Sequence, residues 1–505
     1  MKLSQILKQV KTKFIISFNL EKLSEVEIEN IEIDSRKINK NSAFFALKGI
    51  NNDAIKFVED ALDSGANLII SSKIPKIFKN DSAKIQNVIL ILCDDIFALL
   101  VEFLQIFYHN LPQNIYAITG TNGKTSSANY IKQILKFLEK KSASIGTLGV
   151  VCDLDIPSLQ DSCLTTPDIV SLYKNLAILK SFGIDDVALE VSSIALEQKR
   201  IAGLKIKVAA FTNFTQDHLD YHQTMEEYFR CKSLLFSQFL KDGIAVLNAD
   251  ISQFSQLKNI CQKQNHKIIE YGFKAKDLQL CRVDNFDLNQ AVFFNYQQNQ
   301  YRFEIAKTFE FQIFNMLCAL ACLLACYNLS KADLENILTS FSKLEMSIGR
   351  MQKVAILPNA AQIFIDFAHS PDALENVLKQ ARKMAKNNLI ILFGCGGNRD
   401  RKKRPIMGEI ACKFADLVIV TDDNPRLEDS SLIRSEIIAA CDMSKTIEIA
   451  GRKEAINKAV KMLKENDILI LAGKGHEKYQ IIGEEKINFD EEEIVLDAIK
   501  STFEN

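Results

Sequence analysis

The segment that most restricts the fold of this chain is Ile115-Tyr116-Ala117-Ile118, which runs into Thr119-Gly120-Thr121-Asn122-Gly123-Lys124-Thr125-Ser126 and then a helical pattern from Ser127 to Lys140. An apolar strand passing through a glycine turn into a helix N-terminus is what a polyphosphate needs. Glycines let backbone N–H groups approach, the helix dipole favours negative charge, and a lysine reaches the β and γ oxygens. Gly120, Thr121, Asn122, Gly123, Lys124, Thr125 and Ser126 are therefore candidate ATP-binding residues, and Lys124 is the candidate catalytic cation. The Thr125 hydroxyl follows the lysine, where it can bind Mg²⁺. The loop is shorter than the G-x-x-x-x-G-K-[ST] pattern, because only Thr121 and Asn122 separate Gly120 from Gly123. By itself it would serve a transport ATPase, a kinase or a ligase.

Strand and helix patterns alternate on both sides of this loop. Residues 1–109 carry β-rich runs at 43–47, 68–71 and 88–93 with a helical pattern at 55–64, and a polar stretch containing Pro112 interrupts the pattern at 110–114. Strands at 186–191, 208–212 and 245–247 continue a βα order that implies a parallel sheet with helices on both faces, and 276–309 reads as antiparallel strands. After Ser347-Ile348-Gly349-Arg350 a third pattern begins, with strands at 362–367, 389–393, 417–421 and 468–472. The 505 residues fit about three domains at roughly 150 residues each. The expectation is an α/β protein: a small N-terminal α/β domain (1–109), a central P-loop-type, mostly parallel sheet (110–344) and a Rossmann-like C-terminal domain (345–505).

Composition excludes some roles. With 62 Lys+Arg against 63 Asp+Glu there is no basic excess for nucleic acid, so any anionic ligand must meet local positive charge. Twelve cysteines without a CxxC pair read as reduced thiols in a cytoplasmic enzyme. Cys318, Cys322 and Cys326, four apart on an apolar helix, read as small buried hydrophobes rather than zinc ligands. The apolar run from Met316 to Tyr327 falls short of the about 20 residues that span a bilayer, and Met1 to Leu20 lacks the core of a signal peptide. The acidic run from Asp490 to Glu493 reads as a solvated turn.

Two further motifs sit at strand ends. Glu190-Val191-Ser192-Ser193 places a carboxylate at the carboxyl edge of a sheet, where open α/β folds bind ligands, and Glu190 could hold a metal. The second runs from Asn213 to His222 (N-F-T-Q-D-H-L-D-Y-H) and leads into a helix, 225–239, that carries Lys232. Four of the six histidines, His218, His222, His369 and His476, lie in such polar strand-end motifs, which favours a titratable site.

Taken in order, the T-G-T-N-G-K-T loop, the Glu before V-S-S, the D-H-L-D-x-H stretch and the following helical lysine resemble the Mur ligases, ATP-dependent amide-forming enzymes of bacterial peptidoglycan synthesis whose relatives include folylpolyglutamate synthase. The resemblance covers essentially the whole chain. It implies that Thr125, Glu190 and His218 serve Mg²⁺ and that Lys232 is carbamylated, which turns an ammonium into an anionic oxygen ligand suited to a hard cation. Lys124, His218 and Lys232 are then the catalytic set. Asn315 resembles the family's adenine contact. Gly349-Arg350-Met351 and Asp366-Phe367-Ala368-His369-Ser370-Pro371-Asp372-Ala373 resemble its interdomain G-R-M and D-Y-A-H-T-P-D-A, so Arg350 and Asp366 are expected at the nucleotide.

Three more strand-end motifs carry Gly394-Cys395-Gly396-Gly397-Asn398-Arg399-Asp400, Asp422-Asp423-Asn424-Pro425-Arg426 and Gly473-Lys474-Gly475-His476-Glu477. Two guanidiniums, carboxylates and amides suit an amino acid with two carboxylates and two ammonium groups, because Arg pairs bidentately with carboxylate. Within the family, D-N-P-R resembles the meso-diaminopimelate-adding type. Arg399 and Arg426 are expected on the distal carboxylate, and Asp423, Asn424, Gly473 and Glu477 around the amine. Ser35, in Asp34-Ser35-Arg36, resembles the uridine-binding first domain; Asp34 by itself reads as a local cap. Thr165, Thr166, Ser192, Gln198 and Arg200 match positions that contact the UDP-muramoyl dipeptide. Ile194 stands where the family has His, Asn41-Ser42 replaces Gly-Asp, Phe367 replaces Tyr and Ser370 replaces Thr.

The expected activity is ATP-dependent addition of meso-diaminopimelate to UDP-N-acetylmuramoyl-L-alanyl-D-glutamate through an acyl phosphate, in a cytoplasmic enzyme of cell-wall biogenesis, cell shape and cell division. A monomer is expected, with small-molecule substrates, no nucleic acid and no membrane span. A lysine-adding or folylpolyglutamate-synthase-like ligase is the nearest alternative, and a nucleotide-gated binding or transport ATPase is one of another class. No base is assigned for deprotonating the attacking amine.

Overall fold

The computed structural model describes residues 1–49, 53–80, 82–160, 164–286 and 289–503. Its chain groups into two compact units, each assembled from three segments: Met1–Ala117, Lys141–Val208 and Leu234–Gly243 in one, Ile118–Lys140, Ala209–Ser233 and Ile244–Asn505 in the other. Both are α/β, as the strand and helix alternation predicts.

In the first unit a five-stranded sheet takes the order Ile15–Phe18, Ile89–Leu92, Ala66–Ser71, Ser42–Phe45, Asn30–Glu32. All its pairs are parallel except the first. Phe44, Ile69 and Leu90 form its core with Val58 and Ala61 of the helix Val58–Asp63. Of the helix expected at 55–64 only Val58–Asp63 is α-helical; residues 55–57 belong to a 3₁₀ turn, Ala54–Phe57, capped by Asp53. Further along, Ser142–Gly146 pairs in parallel with Asp186–Glu190 and antiparallel with Gly149–Cys152.

In the second unit the helix Lys124–Phe137 packs against the helix Glu310–Cys326, whose Cys318 and Cys322 are buried, as their apolar setting predicts, whereas Cys326, at the helix end, is only partly buried. Strands Ile244–Asn248 and Lys267–Gly272 are parallel, and the expected antiparallel run is the meander Leu278–Asn285, Asn289–Tyr296, Asn299–Ala306. The predicted helix at 225–239 is α-helical only over Met225–Leu234 and ends in a π-helical turn, Leu235–Phe239. No helix among the described residues is long and apolar enough to cross a membrane.

The C-terminal part of this unit is a six-stranded sheet in the order Gln352–Ile356, Gln362–Asp366, Ile468–Ala472, Leu389–Phe393, Leu417–Val420, Thr446–Glu448. Side chains alternate faces along a strand. Ile391, Phe393 and Ile470 pack under Leu374, Val377, Met407, Ala411 and Ile437, whereas Leu392, Leu469 and Leu471 pack under Ile456, Ala459, Val460 and Val495. Helices therefore cover both faces, which is why these parallel strands read as unbroken apolar runs. The acidic run at 490–493 departs from its reading as a solvated turn. It opens the helix Glu491–Phe503, and Glu491, only 3% exposed, pairs with the buried Arg452, its carboxylate Oε1 accepting from Nε at 2.6 Å. A carboxylate run looks solvated in sequence because its buried partner lies 39 residues away.

Candidate active site

In the phosphate loop the strand Asn114–Thr119 hands over to the helix Lys124–Phe137 through Gly120 at φ 146° and Gly123 at φ 84°. A side chain at Gly120 would collide with the Thr212 hydroxyl, and one at Gly123 with the Asn315 amide oxygen. Left-handed backbone and close approach both call for glycine. The loop is stitched to the next strand end: the Thr121 and Asn122 N–H groups donate to the backbone and side-chain oxygens of Asn213 at 3.0 and 2.7 Å. The Thr212 hydroxyl donates to the Asn122 carbonyl at 2.6 Å, and the Tyr228 hydroxyl reaches Thr121 Oγ1.

Two lysine amines share this loop's carbonyls. Lys124 Nζ donates to Gly120 O and Thr121 O at 2.9 and 2.8 Å, and Lys232 Nζ donates to Gly120 O at 2.7 Å. Lys232 is 1% exposed, with its amine over the Tyr228 ring. Burial and the neighbouring Lys124 charge push its pKa far below the ordinary lysine value. His218 adopts left-handed backbone and places Nε2 3.6 Å from Asp217 Oδ2. Thr125 and Ser126 are buried in the first helical turn, and Arg350 donates to Thr125 Oγ1 at 3.3 Å.

Arg350 also lies over the Phe367 ring at 4.7 Å, and that ring packs against His369 and His476 at centroid distances of 4.6 and 5.0 Å. Burial, Arg350 and His369 lower the His476 pKa to about 4. Asp366 braces backbone, accepting from the Met351 and Ala368 N–H groups at 2.7 Å each. Asn315 approaches Gly123 and donates to Gln312 Oε1 at 3.4 Å.

At the carboxyl edge of the six-stranded sheet the three C-terminal motifs meet. The Gly397 N–H donates to Asn424 O at 2.9 Å, Arg426 Nη1 donates to Gly397 O at 3.0 Å, and the Leu427 N–H donates to Asn398 Oδ1 at 3.1 Å. Arg426 has φ 53° and is fastened to the strand Tyr479–Ile482, its N–H donating to Ile481 O. Burial and the Arg399 charge lower its pKa. Asn424 Nδ2 donates to Glu477 Oε2 at 2.9 Å. Gly473 has φ 116°, and a Cβ there would press on Asp423 Oδ2 at 2.7 Å. Behind the loops, Arg404 is buried with no side-chain exposure; it donates to Glu428 and Glu436 at 3.0 and 2.8 Å and to Gly396 O at 3.3 Å.

The first unit gathers a second set. Thr147 N–H and Oγ1 donate to the two oxygens of the buried Glu190 at 2.9 and 3.2 Å. The Thr166 hydroxyl donates to Glu190 O and accepts from Ser192 N–H, while Thr147 and Thr165 hydroxyls lie 3.3 Å apart. Arg200 donates to Thr166 O at 2.7 Å and to Gln198 Oε1 at 2.7 and 3.0 Å. Thr165, Thr166, Glu190, Ser192, Gln198 and Arg200 thus form one network, in which Thr166 joins Glu190, Ser192 and Arg200 and Thr147 links Glu190 to Thr165. Sequence reasoning missed Thr147; its placement directly after the strand Ser142–Gly146 is the signal that could have found it. Ser35 is buried on the turn Ser35–Lys37, which Asp34 caps by accepting the Arg36 N–H, and its hydroxyl has no hydrogen bond to the network among the described residues. A cleft of about 510 Å³ in this unit, lined by Phe97, Glu102, Glu197, Gln198 and Lys199, involves the network only through Gln198.

A family model described as the Mur ligase middle domain matches residues 118–323, and one described as the Mur ligase, glutamate ligase domain matches residues 349–475. A UDP-N-acetylmuramoyl-L-alanyl-D-glutamate--2,6-diaminopimelate ligase of Rickettsia montanensis is 39% identical over 492 residues, covering 96% of this chain and 99% of that one. A protein of the same description from Agrobacterium fabrum is 37% identical over 482 residues, covering 95% of each. A solved structure of such a ligase is 30% identical with a TM-score of 0.67 and covers 99% of both chains. The structure of a MurF ligase from Thermotoga maritima in complex with ADP, 16% identical with a TM-score of 0.63, covers 94% of this chain and shares its fold.

Proposed function

This chain belongs to the Mur ligase family, an ATP-dependent family of amide-forming ligases, and from that premise we propose that it adds meso-diaminopimelate to UDP-N-acetylmuramoyl-L-alanyl-D-glutamate. The observation that carries the choice of amino acid is the C-terminal pocket. The Arg426 guanidinium is fixed on Gly397 O, with Arg399 close enough to depress its pKa, while Asn424 and Glu477 stand bonded alongside. Two guanidiniums suit a distal carboxylate, and Asp423, Asn424, Glu477 and the close backbone of Gly473 suit the amine beside it.

In this reading ATP phosphorylates the terminal carboxylate of the dipeptide, and the amine of diaminopimelate attacks the acyl phosphate to give amide, ADP and phosphate. Lys124 already sits among loop carbonyls and turns to the transferring phosphoryl group, whose charge it offsets. Gly120, Thr121, Asn122, Gly123 and Ser126 line the phosphates, and Asn315, Arg350 and Asp366 complete the nucleotide site. Ser35, Thr165, Thr166, Ser192, Gln198 and Arg200 take the UDP-linked dipeptide. Domain boundaries near 110 and 345 fit this division of labour, and we place the reaction in the cytoplasm.

Within the second unit the buried Thr125 hydroxyl and the His218 imidazole are an oxygen and a nitrogen donor that would suit Mg²⁺, which when bound would offset charge on the transferred phosphate; Glu190, in the first unit, is a buried carboxylate of the kind such an ion takes. Lys232 as a free amine is no ligand for a hard cation. Burial and the Lys124 charge shift its pKa down, toward the neutral amine that adds to CO₂, which supports carbamylation.

The test is ADP release by the purified chain with UDP-linked dipeptide, comparing diaminopimelate with lysine. Release should depend on diaminopimelate, and Arg426→Ala should raise its KM about a hundredfold with ATP binding retained. Equal use of lysine would overturn the specificity, and release without any amino acid would favour a non-ligating ATPase.

A further inference from the structure

The C-terminal pocket contains a buried cation that is not among its proposed ligands. Lys474, in Gly473-Lys474-Gly475-His476-Glu477, has 0% exposure. Its Nζ donates to Asn424 Oδ1 at 3.0 Å and to Glu477 Oε2 at 3.3 Å, and lies 5.8 and 6.0 Å from the Tyr479 and Phe489 ring centroids. An apolar side chain would fill that volume without the desolvation cost of an ammonium, so the charge does something that packing does not.

We infer that Lys474 is a positioning residue for the amino-acid substrate: it fixes the orientation of the Asn424 amide and holds Glu477 by one carboxylate oxygen, leaving the other to the distal ammonium. Asn424 Oδ1 accepts from both Lys474 Nζ and the Ile481 N–H, at 3.0 and 2.9 Å, so both its lone pairs are used. Flipping the amide would set its NH₂ against an ammonium and an N–H. The NH₂ is therefore directed at Glu477 Oε2, which also takes Lys474. Glu477 Oε1 has no hydrogen-bond partner among the described residues, and the Glu477 side chain keeps 21% of its exposure. A carboxylate held on one side and open on the other is a preorganised ammonium receptor. Asn424 also anchors the strand that fastens Arg426, through Ile481, so one buried amine registers the ammonium and carboxylate halves of the pocket against each other.

The inference rests on reading this pocket as the diaminopimelate site. Lys474→Met in the full chain should raise the KM for diaminopimelate by about 30-fold or more, with kcat and the KM for ATP little changed. Lys474→Ala should regain part of the loss on addition of ethylammonium, and Lys474→Met should add little in a Glu477→Gln background. A parallel fall of all kinetic constants with the melting temperature, or an unchanged KM, overturns the inference. Should Lys474→Met fail to fold, Asn424→Asp keeps a partner for Lys474 but turns like charge toward Glu477; it should raise the same KM, and an unchanged value is equally fatal. Arg426→Ala separates the two levels. If it too leaves the diaminopimelate KM untouched, the pocket reading falls; if it raises the KM while Lys474→Met does not, only the role of Lys474 falls.

Discussion

The phosphate loop and the proposed amino-acid pocket, both in the second unit, are held in shape by opposite means. The loop is built from backbone: two left-handed glycines, N–H groups donated to Asn213, and hydroxyls from Thr212 and Tyr228, with two amines on loop carbonyls. The pocket is built from loops that are far apart in sequence and pinned from behind by buried cations. Arg404 ties Gly396 to Glu428, Arg452 ties Ala472 to Glu491, and Lys474 ties Asn424 to Glu477. Backbone N–H groups suit a polyphosphate, whose oxygens are alike in every direction, whereas a pocket that must tell one amino acid from another needs side chains held in place from behind.

The comparison can be broken most directly at the loop. Lys124→Ala should lower diaminopimelate-dependent ADP release by about 10³-fold or more while leaving the melting temperature near that of the parent chain, because the helix and its glycines remain. An active variant would show that the loop does not act on the transferred phosphate. The pocket should answer in stability instead. Arg452→Met leaves Glu491 buried without its cation and should cost about 3–5 kcal/mol in denaturant unfolding, and adding Glu491→Leu should recover much of that. A neutral single variant would mean that the scaffold does not depend on the pair. The smallest effect is expected between the two regions, at His476. Its pKa of about 4 lies below the about 6.5 of an unfolded histidine. The unfolded chain therefore binds the extra proton between those values, and stability should fall as the pH drops from about 6.5 to about 4. His476→Asn should flatten that part of the pH–stability curve by at most about 2 kcal/mol, given the partial exposure of the ring; an unchanged slope would exclude this histidine as its source.

The same contrast explains what could be read from the chain alone. The phosphate loop is a contiguous string whose chemistry is local, so Gly120 to Ser126 announce themselves. The amino-acid pocket was visible only as three separate motifs at strand ends, joined by resemblance, because pairing Asn424 with Glu477 across 53 residues leaves no local trace. Arg404 and Arg452 were invisible for another reason. They lie among other charged residues on amphipathic helices, and burial of one member of such a run depends on the neighbouring element. Lys474 lies inside a strand-end motif, but a lysine between two glycines carries no local sign that its amine is buried. Thr147 is a common residue type after a strand, and only the fold brings it to Glu190.

The interleaving of the two compact units bears on how a ribosome can deliver this protein. The emerging polypeptide passes from one unit to the other after residues 117, 140, 208, 233 and 243. The first unit can be completed once Gly243 is free of the exit tunnel, but the segment Ile118–Lys140, though made early, belongs to the other unit. Its helix must wait for Glu310–Cys326, synthesised much later, to cover its apolar face. During that interval the helix that follows the nucleotide loop keeps its apolar residues Ile131, Ile134 and Leu135 uncovered, the kind of surface that chaperones bind. Truncations ending before about residue 326 should therefore be aggregation-prone even though they contain the entire loop motif.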